Sequence, residues 1–218
     1  MRILTLSDEE CMSLWDYYTP GKLNEYDLIL SCGDLKPAYL SFLVTMGKAP
    51  LFYVHGNHDG AYATHPPEGC ECIEDRIVNY RGLRILGLGG AMRYNPGDHQ
   101  YTEAQMRRRS QKLRWTLWRS GGVDIVVTHA PPKGLGDGED YAHRGCAAFL
   151  ELLDKYKPRY LIHGHVHLSY GHEIPREMTY NDTRIINAYE RYTINVEPLA
   201  NSVTKFPQTW SAGTFLLI

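Results

Sequence analysis

No apolar run in the chain approaches the ~20 residues needed to cross a bilayer, so no spanning helix is expected. Charge of one sign is also missing. Lys and Arg number 23 against 25 Asp and Glu, a formal net charge of −2, so no global field recruits nucleic acid or an anionic membrane. That balance leaves room for a local basic groove. The five cysteines are odd in number and lack the spacing of a disulfide framework. Cys70-Glu71-Cys72 is not C-x-x-C, and the set suits a reducing compartment better than secretion. The first ten residues, MRILTLSDEE, lack the apolar core and small-residue cleavage site of a signal peptide. The expectation is a cytoplasmic protein with no membrane partner.

What is present is an ordinary globular composition, 43% hydrophobic and 22% charged over 218 residues, which suits one domain spanning 1–218. Short apolar runs alternate with helical patterns, the signature of an α/β fold. The runs at 2–7, 27–32, 51–55, 124–128 and 159–163 have the length and continuity of strands buried on both faces. Segments 76–90 and 184–198 read as hairpins or paired strands turning near Arg81-Gly82 and Glu190-Arg191. Helices are predicted at about 9–18, 37–47, 102–120 and 143–156. In the third, Thr102 and Gln105 can form a capping box, and Gly121-Gly122 supplies the stop. Its run RRRSQKLRW reads as a solvated face, because Met106, Leu113 and Leu117 share one side and most arginines the other. Residues 131–145 are a loop by composition, and a C-terminal strand is expected at TFLLI.

Each of the five strand candidates runs into a polar donor at its carboxyl end. The first meets Asp8, with Glu9 and Glu10 behind it, and the second meets Asp34. The third meets Asn57-His58-Asp59, the fourth His129, and the fifth His165 with His167 two residues on. Ligands in open α/β sheets bind beyond strand carboxyl ends. Carboxylate, carboxamide and imidazole without thiolate suit Mn, Mg, Zn or Fe in an open mixed site. The donors are too many for one ion and about right for two, a device suited to in-line displacement at phosphorus.

The ordered segments SDEE, CGDL, GNHD, VTHAPP and GHVH resemble the motifs of the calcineurin-like metallophosphoesterases. That resemblance implies a four-layer α/β/β/α sandwich, two mixed sheets flanked by helices. It also implies two divalent cations, Mn²⁺ foremost with Fe²⁺, Zn²⁺ or Mg²⁺ as alternatives. One would be held by Asp8, Asp34 and His167, the other by Asp34, Asn57, His129 and His165, with Asp34 bridging. A hydroxide between the ions would attack phosphorus, His58 would protonate the leaving oxygen or stabilise charge there, and Asp59 would orient the His58 ring. The family motif D-x-H appears here as Asp8-Glu9-Glu10, and Glu10 is expected to ligate in place of the imidazole. Two divalent ions with three carboxylates then retain roughly one positive charge, which favours monoanionic diesters over dianionic monoesters.

Arg93, Tyr94 and His143 are candidate substrate contacts. The expected partner is a small-molecule phosphate ester. A nuclease reading would need a basic groove beside the site, which only the 107–119 helix offers, and that helix is expected to face away. A non-catalytic scaffold would be expected to lose ligands or His58, and this chain keeps His58 and all but one of the expected ligands.

Overall fold

The computed structural model describes residues 1–170 and 174–197. In chain order the strands of the first sheet begin with β1 (Arg2–Ser7), β2 (Leu28–Ser31), β3 (Leu51–Tyr53) and β4 (Glu71–Cys72). A hairpin follows, β5 (Ile77–Tyr80) and β6 (Leu83–Leu88), then two short strands, β7 (Ala91–Met92) and β8 (Gln100–Tyr101). The remainder are β9 (Ile125–Thr128), β10 (Tyr160–His163), β11 (Glu177–Tyr180), β12 (Thr183–Asn187) and β13 (Glu190–Asn195). The helices are α1 (Pro37–Met46), α2 (Glu103–Lys112), α3 (Arg114–Arg119) and α4 (Ala147–Tyr156).

One sheet has the order β13-β1-β2-β3-β4 and the other β11-β12-β10-β9-β6-β5. Their interiors are parallel, and the antiparallel pairings lie at the edges through β13, β11 and β5. Alternation along each strand explains the layering. Ile3, Leu28 and Leu30 face Ile85, Ile125, Val127 and Ile162 between the sheets. Leu4, Leu6 and Ile29 point outward onto Leu40 and Leu43 of α1, while Val126 and Leu161 point onto Met106, Leu117, Phe149 and Leu152 of α2 to α4. Strands covered on both faces require continuous apolar runs, and those runs are what the sequence contains. The fold is therefore a four-layer α/β/β/α sandwich of two mixed sheets.

Four expectations are corrected. Residues 9–18 form only a 3₁₀ turn, Met12–Leu14. The chain instead anchors its aromatics, Trp15 edge-on to Tyr39 and Phe42 at 5.4 and 5.0 Å, and Pro20 lies just beyond. The 102–120 helix breaks at Leu113, whose N–H bonds to the Ser110 carbonyl three residues back, although its capping box at Thr102 is present. The fourth helix begins at Ala147 rather than 143, because Cys146 is in extended conformation. Segment 184–198 is not a hairpin: β12 lies in one sheet and β13 in the other, so the chain crosses between sheets at Ala188-Tyr189. The hairpin in that region is β11–β12, turning at Asn181-Asp182 with Asn181 at φ 52°. The 76–90 hairpin is present as β5–β6. The strand expected at TFLLI lies outside the described residues.

On α2 and α3 the arginines face outward apart from Arg109. Its guanidinium bonds Glu74 and Asp75 and stacks over Tyr101 at 4.2 Å.

Candidate active site

The carboxyl ends of β1, β2, β3, β9 and β10 converge on one cleft of about 460 Å³. It is lined by Asp8, Asp34, Asn57, His58, Tyr94, Ala142, His143, His165 and His167. Three of the expected donors leave their strands in the left-handed region, Asp8 at φ 66°, Asp34 at 57° and His165 at 67°. That conformation is unfavourable for side chains other than glycine, and such strain concentrates at functional sites. Glycines let the backbones close in. A Cβ at Gly164 would lie 2.5 Å from Asp8 Oδ2, so only glycine lets β10 approach β1 there.

Asp8, Asp34 and His129 each offer an atom within 4.8 Å of one another. His129 is fully buried, and its Nδ1 lies 2.8 Å from the Cys32 carbonyl, to which it must donate. The other nitrogen, Nε2, then faces Asn57 Oδ1 at 3.0 Å and Asp34 Oδ2 at 3.2 Å. In the neutral ring three lone-pair atoms point at one another, an arrangement that needs a positive charge among them. Burial favours the neutral ring, yet Asp34 and Asp8 push His129 up to about 10. Burial likewise opposes ionisation of Asp34, but His129 and the His58 N–H hold its carboxyl far below the usual range. A field that binds a proton this firmly also suits a cation, so these residues fit a metal ion.

Second contacts fix the remaining donors. The His165 Nε2 donates to the Ala142 carbonyl at 2.8 Å, which leaves Nδ1 with its lone pair. Burial and the nearby His129 keep that ring neutral, down to about 4. The His165 N–H donates to Asp8 Oδ2 at 2.9 Å, and His167 Nε2 stands 3.7 Å from Asp8 Oδ1. Tyr94 accepts from Asn57 Nδ2 at 3.1 Å, turning the carboxamide oxygen towards His129. Asp34 Oδ1 accepts from the His58 N–H at 2.8 Å, while His58 itself is exposed at the mouth of the cleft.

Three expected residues are placed differently. Glu10 is not among the converging donors: its carboxylate accepts from the Lys36 N–H at 3.1 Å and pairs with Lys36 Nζ at 3.3 Å. A nearby ammonium and an unpaired amide at the start of α1 outcompete a site that already holds two carboxylates. Asp59 does not reach the His58 ring. Its Oδ2 accepts from the Gly56 and Asp34 amides at 2.7 and 2.9 Å, so it ties the β3 loop to the β2 loop. Arg93 turns from the cleft to the Gln100 carbonyl and Gln105 Oε1, both at 3.4 Å. It lines a neighbouring cleft of about 920 Å³ that shares Tyr94 with the first and includes Tyr141. His143 does line the donor cleft, its Nδ1 2.8 Å from Asp140 and its ring 5.2 Å from that of His165. The carbonyls of Cys32 and Ala142 carry no side-chain signal, so sequence reasoning misses them as orienting groups. Lys36 follows CGDL directly, and its charge is the one available clue to the fate of Glu10.

The geometry has counterparts in known proteins. A UPF0046 protein of Caenorhabditis elegans is 32% identical over 101 residues, covering 45% of this chain and 24% of that protein. The human metallophosphoesterase domain-containing protein 1 is 28% identical over 133 residues, covering 60% of this chain and 37% of that protein. The chain thus matches well under half the length of these relatives. The crystal structure of TT1561 from Thermus thermophilus superposes with a TM-score of 0.58 at 15% identity, covering 87% of this chain and 89% of that one, a likeness of fold. The calcineurin-like phosphoesterase family model matches residues 9–169, the stretch that runs from the β1 loop through the last of the converging histidines. With donors, fold and sequence in agreement, the chain belongs to the calcineurin-like phosphoesterase family.

Proposed function

We propose that this protein hydrolyses a phosphodiester at a centre of two divalent cations. Asp34, Asn57, His129 and His165 would hold one ion, and Asp8, Asp34 and His167 the other, with Glu10 outside the set. The observation that carries the reading is the convergence of Asn57 Oδ1 and Asp34 Oδ2 on His129 Nε2, at 3.0 and 3.2 Å from it, lone pairs that a cation would satisfy. Bound cations would supply Lewis-acid polarisation of a phosphoryl oxygen and an acidified water.

The chain's own groups do the rest. The Asn57 carboxamide is aimed by Tyr94, and the two histidine rings by backbone carbonyls, so the donor set is organised in advance. His58, held through its backbone by Asp34, presents its ring at the cleft mouth, where it can give a proton to the departing oxygen. Asp59 holds the Gly56 and Asp34 amides in register and acts on the loop rather than on the ring. His143 and Tyr94 border the position of the phosphoryl group.

Displacement of Glu10 removes the charge argument for diesters. Support for that preference comes instead from space: a larger cleft lined by Arg93 and Tyr141 adjoins the donor cleft at Tyr94, where a second organic substituent would lie. Mn²⁺ is the proposed metal because the set is dominated by oxygen and imidazole donors.

Two measurements test the proposal. Elemental analysis should find two ions per chain in the wild type and a loss of both in Asp34→Ala. A single ion that survives this change overturns the dinuclear assignment. Rates on bis(p-nitrophenyl) phosphate and p-nitrophenyl phosphate, with Mn²⁺, Fe²⁺, Zn²⁺ or Mg²⁺ returned to apo-protein, should favour the diester and Mn²⁺. A higher kcat/KM for the monoester overturns the substrate assignment.

A further inference from the structure

Trp115 and Trp118 on α3 are 67% and 70% exposed, although Leu117 between them is buried in the outer core. Their rings stack at 4.8 Å with a 29° tilt. They border a shallow cleft of about 950 Å³ whose walls also carry Lys112, Arg114 and Lys155 and no acidic residue. Arg119, exposed, extends the basic rim. Arg107 and Arg109 on the same helical segment are taken up by Glu151, Glu74 and Asp75. Lys112, Arg114, Arg119 and Lys155 form no ion pair among the described residues.

We propose that this end of the molecule is a peripheral docking surface for anionic phospholipid. Exposed tryptophan is at home at the level of lipid headgroups, where its ring meets apolar and its N–H polar surroundings. Cations in a cleft wall without acid supply attraction to an acidic leaflet, while Glu151, in the adjoining cleft beside Arg114 and Lys155, is paired with Arg107. Neither a basic helix face nor one exposed aromatic would carry the inference alone. Here a tryptophan wedge and a basic cleft wall without acid coincide.

Position in the fold favours a surface over a nucleic-acid strand. Gly121 and Gly122, in the cleft wall, lead into the amino end of β9, and Lys155 and Tyr156 lead into the amino end of β10. The metal-binding candidates His129, His165 and His167 follow the carboxyl ends of those same strands. From Asp124 to His129 the chain advances about 16 Å at the usual strand rise. A nucleic acid held at the tryptophans would lie at the wrong end of the sheet to serve as substrate, whereas a docked membrane leaves the donor cleft open to solution. The stacked rings also cover one face of each other, so they form one wedge rather than two open platforms for bases.

The test is cosedimentation of the full chain with large unilamellar vesicles of phosphatidylcholine containing 30% phosphatidylserine, beside vesicles of phosphatidylcholine alone. The wild type should partition to the acidic vesicles with a blue shift of tryptophan emission, and 0.5 M NaCl should weaken the binding. A basic residue near an acidic leaflet contributes about a fivefold factor. Two such residues correspond to about 25-fold, so K112E/R114E should lose at least tenfold in partitioning. W115A/W118A should lose the blue shift and weaken partitioning through loss of the interfacial wedge, with circular dichroism and thermal midpoint preserved in both. Failure of the wild type to bind acidic vesicles overturns the proposal, as does binding indifferent to both variants. It is equally overturned if W115A/W118A abolishes binding of a single-stranded RNA oligonucleotide or self-association in sedimentation velocity while wild-type vesicle binding is absent.

Discussion

Gly56→Ala is a small change with a large expected consequence. A Cβ built on Gly56 lies 2.0 Å from Asp34 Oδ1, 2.4 Å from its Cγ and 2.7 Å from its backbone nitrogen. Ordinary contact requires well over 3 Å, so the carboxylate must retreat by more than 1 Å or the β2 and β3 loops must part. Retreat breaks the 2.8 Å bond that Oδ1 accepts from the His58 amide. Losing a hydrogen bond to an ionised acceptor costs about 1.5–3 kcal/mol, and overpacking a tight site costs about 1–3 kcal/mol. The two overlap, and a combined effect of about 3 kcal/mol corresponds to a shift of roughly 6–12 °C in thermal midpoint for a chain of this size. With Asp34 as the proposed shared donor, Mn²⁺ affinity measured by isothermal titration calorimetry should fall about 100-fold. Gly21→Ala is the control: it imposes an unfavourable φ of +89°, but its nearest neighbour, Asn24 Nδ2, is 3.6 Å away, and Mn²⁺ affinity should not change. If Gly56→Ala binds Mn²⁺ as tightly as the wild type, with a midpoint within about 2 °C of it, the role given to Asp34 is wrong.

His58→Ala should retain both ions and the fold while kcat falls by ~10²–10⁴. The loss should be smaller for nitrophenyl than for alkyl esters, and equal losses would remove the proton-donor role. Glu10→Gln should leave the metal content by elemental analysis unchanged, since that carboxylate is engaged by Lys36; loss of one ion per chain would restore Glu10 to the ligand set. Acid stability should depend on Asp124. Burial raises its carboxyl, but Arg84, bonded through Nε, Nη2 and its backbone N–H at 2.7–2.9 Å, outweighs that and holds it below the ordinary value. A depressed folded pKa means that the stabilisation is complete above about pH 4 and is lost as pH falls through the folded value. Asp124→Asn should flatten the acid limb of unfolding free energy against pH, and an unchanged slope would show the pair to be uncoupled from folding.

The central strands and the donor positions are legible in the sequence because they rest on strong local signals. A strand buried on both faces has to be apolar throughout, and an acidic, amide or imidazole residue directly after it stands out. Glu10 occupies a motif slot, but its direction is decided by a competitor, Lys36, that lies 26 residues away and whose amide is free only because α1 starts there. Asp59 adjoins His58 in sequence, yet the Gly56 and Asp34 amides need an acceptor more than the ring does. The pairing of 184–198 is illegible for a topological reason. Two consecutive strands separated by a short connection look alike whether they pair or part, and only the open edge of β1 decides where β13 goes.

That edge has a consequence during synthesis. β1 pairs along its whole length with β13, from Arg2 opposite Asn195 to Ser7 opposite Glu190. A ribosome adding about 5–20 residues per second needs roughly 10–40 s between making the two strands. Over that interval Leu4 and Leu6 sit on a strand with one unpaired side, a template for another nascent chain. The donor loop at Asp8 follows directly from that strand, so its final geometry also waits for the last described strand to arrive. Crowded polysomes should therefore be where this protein is most exposed to misassembly.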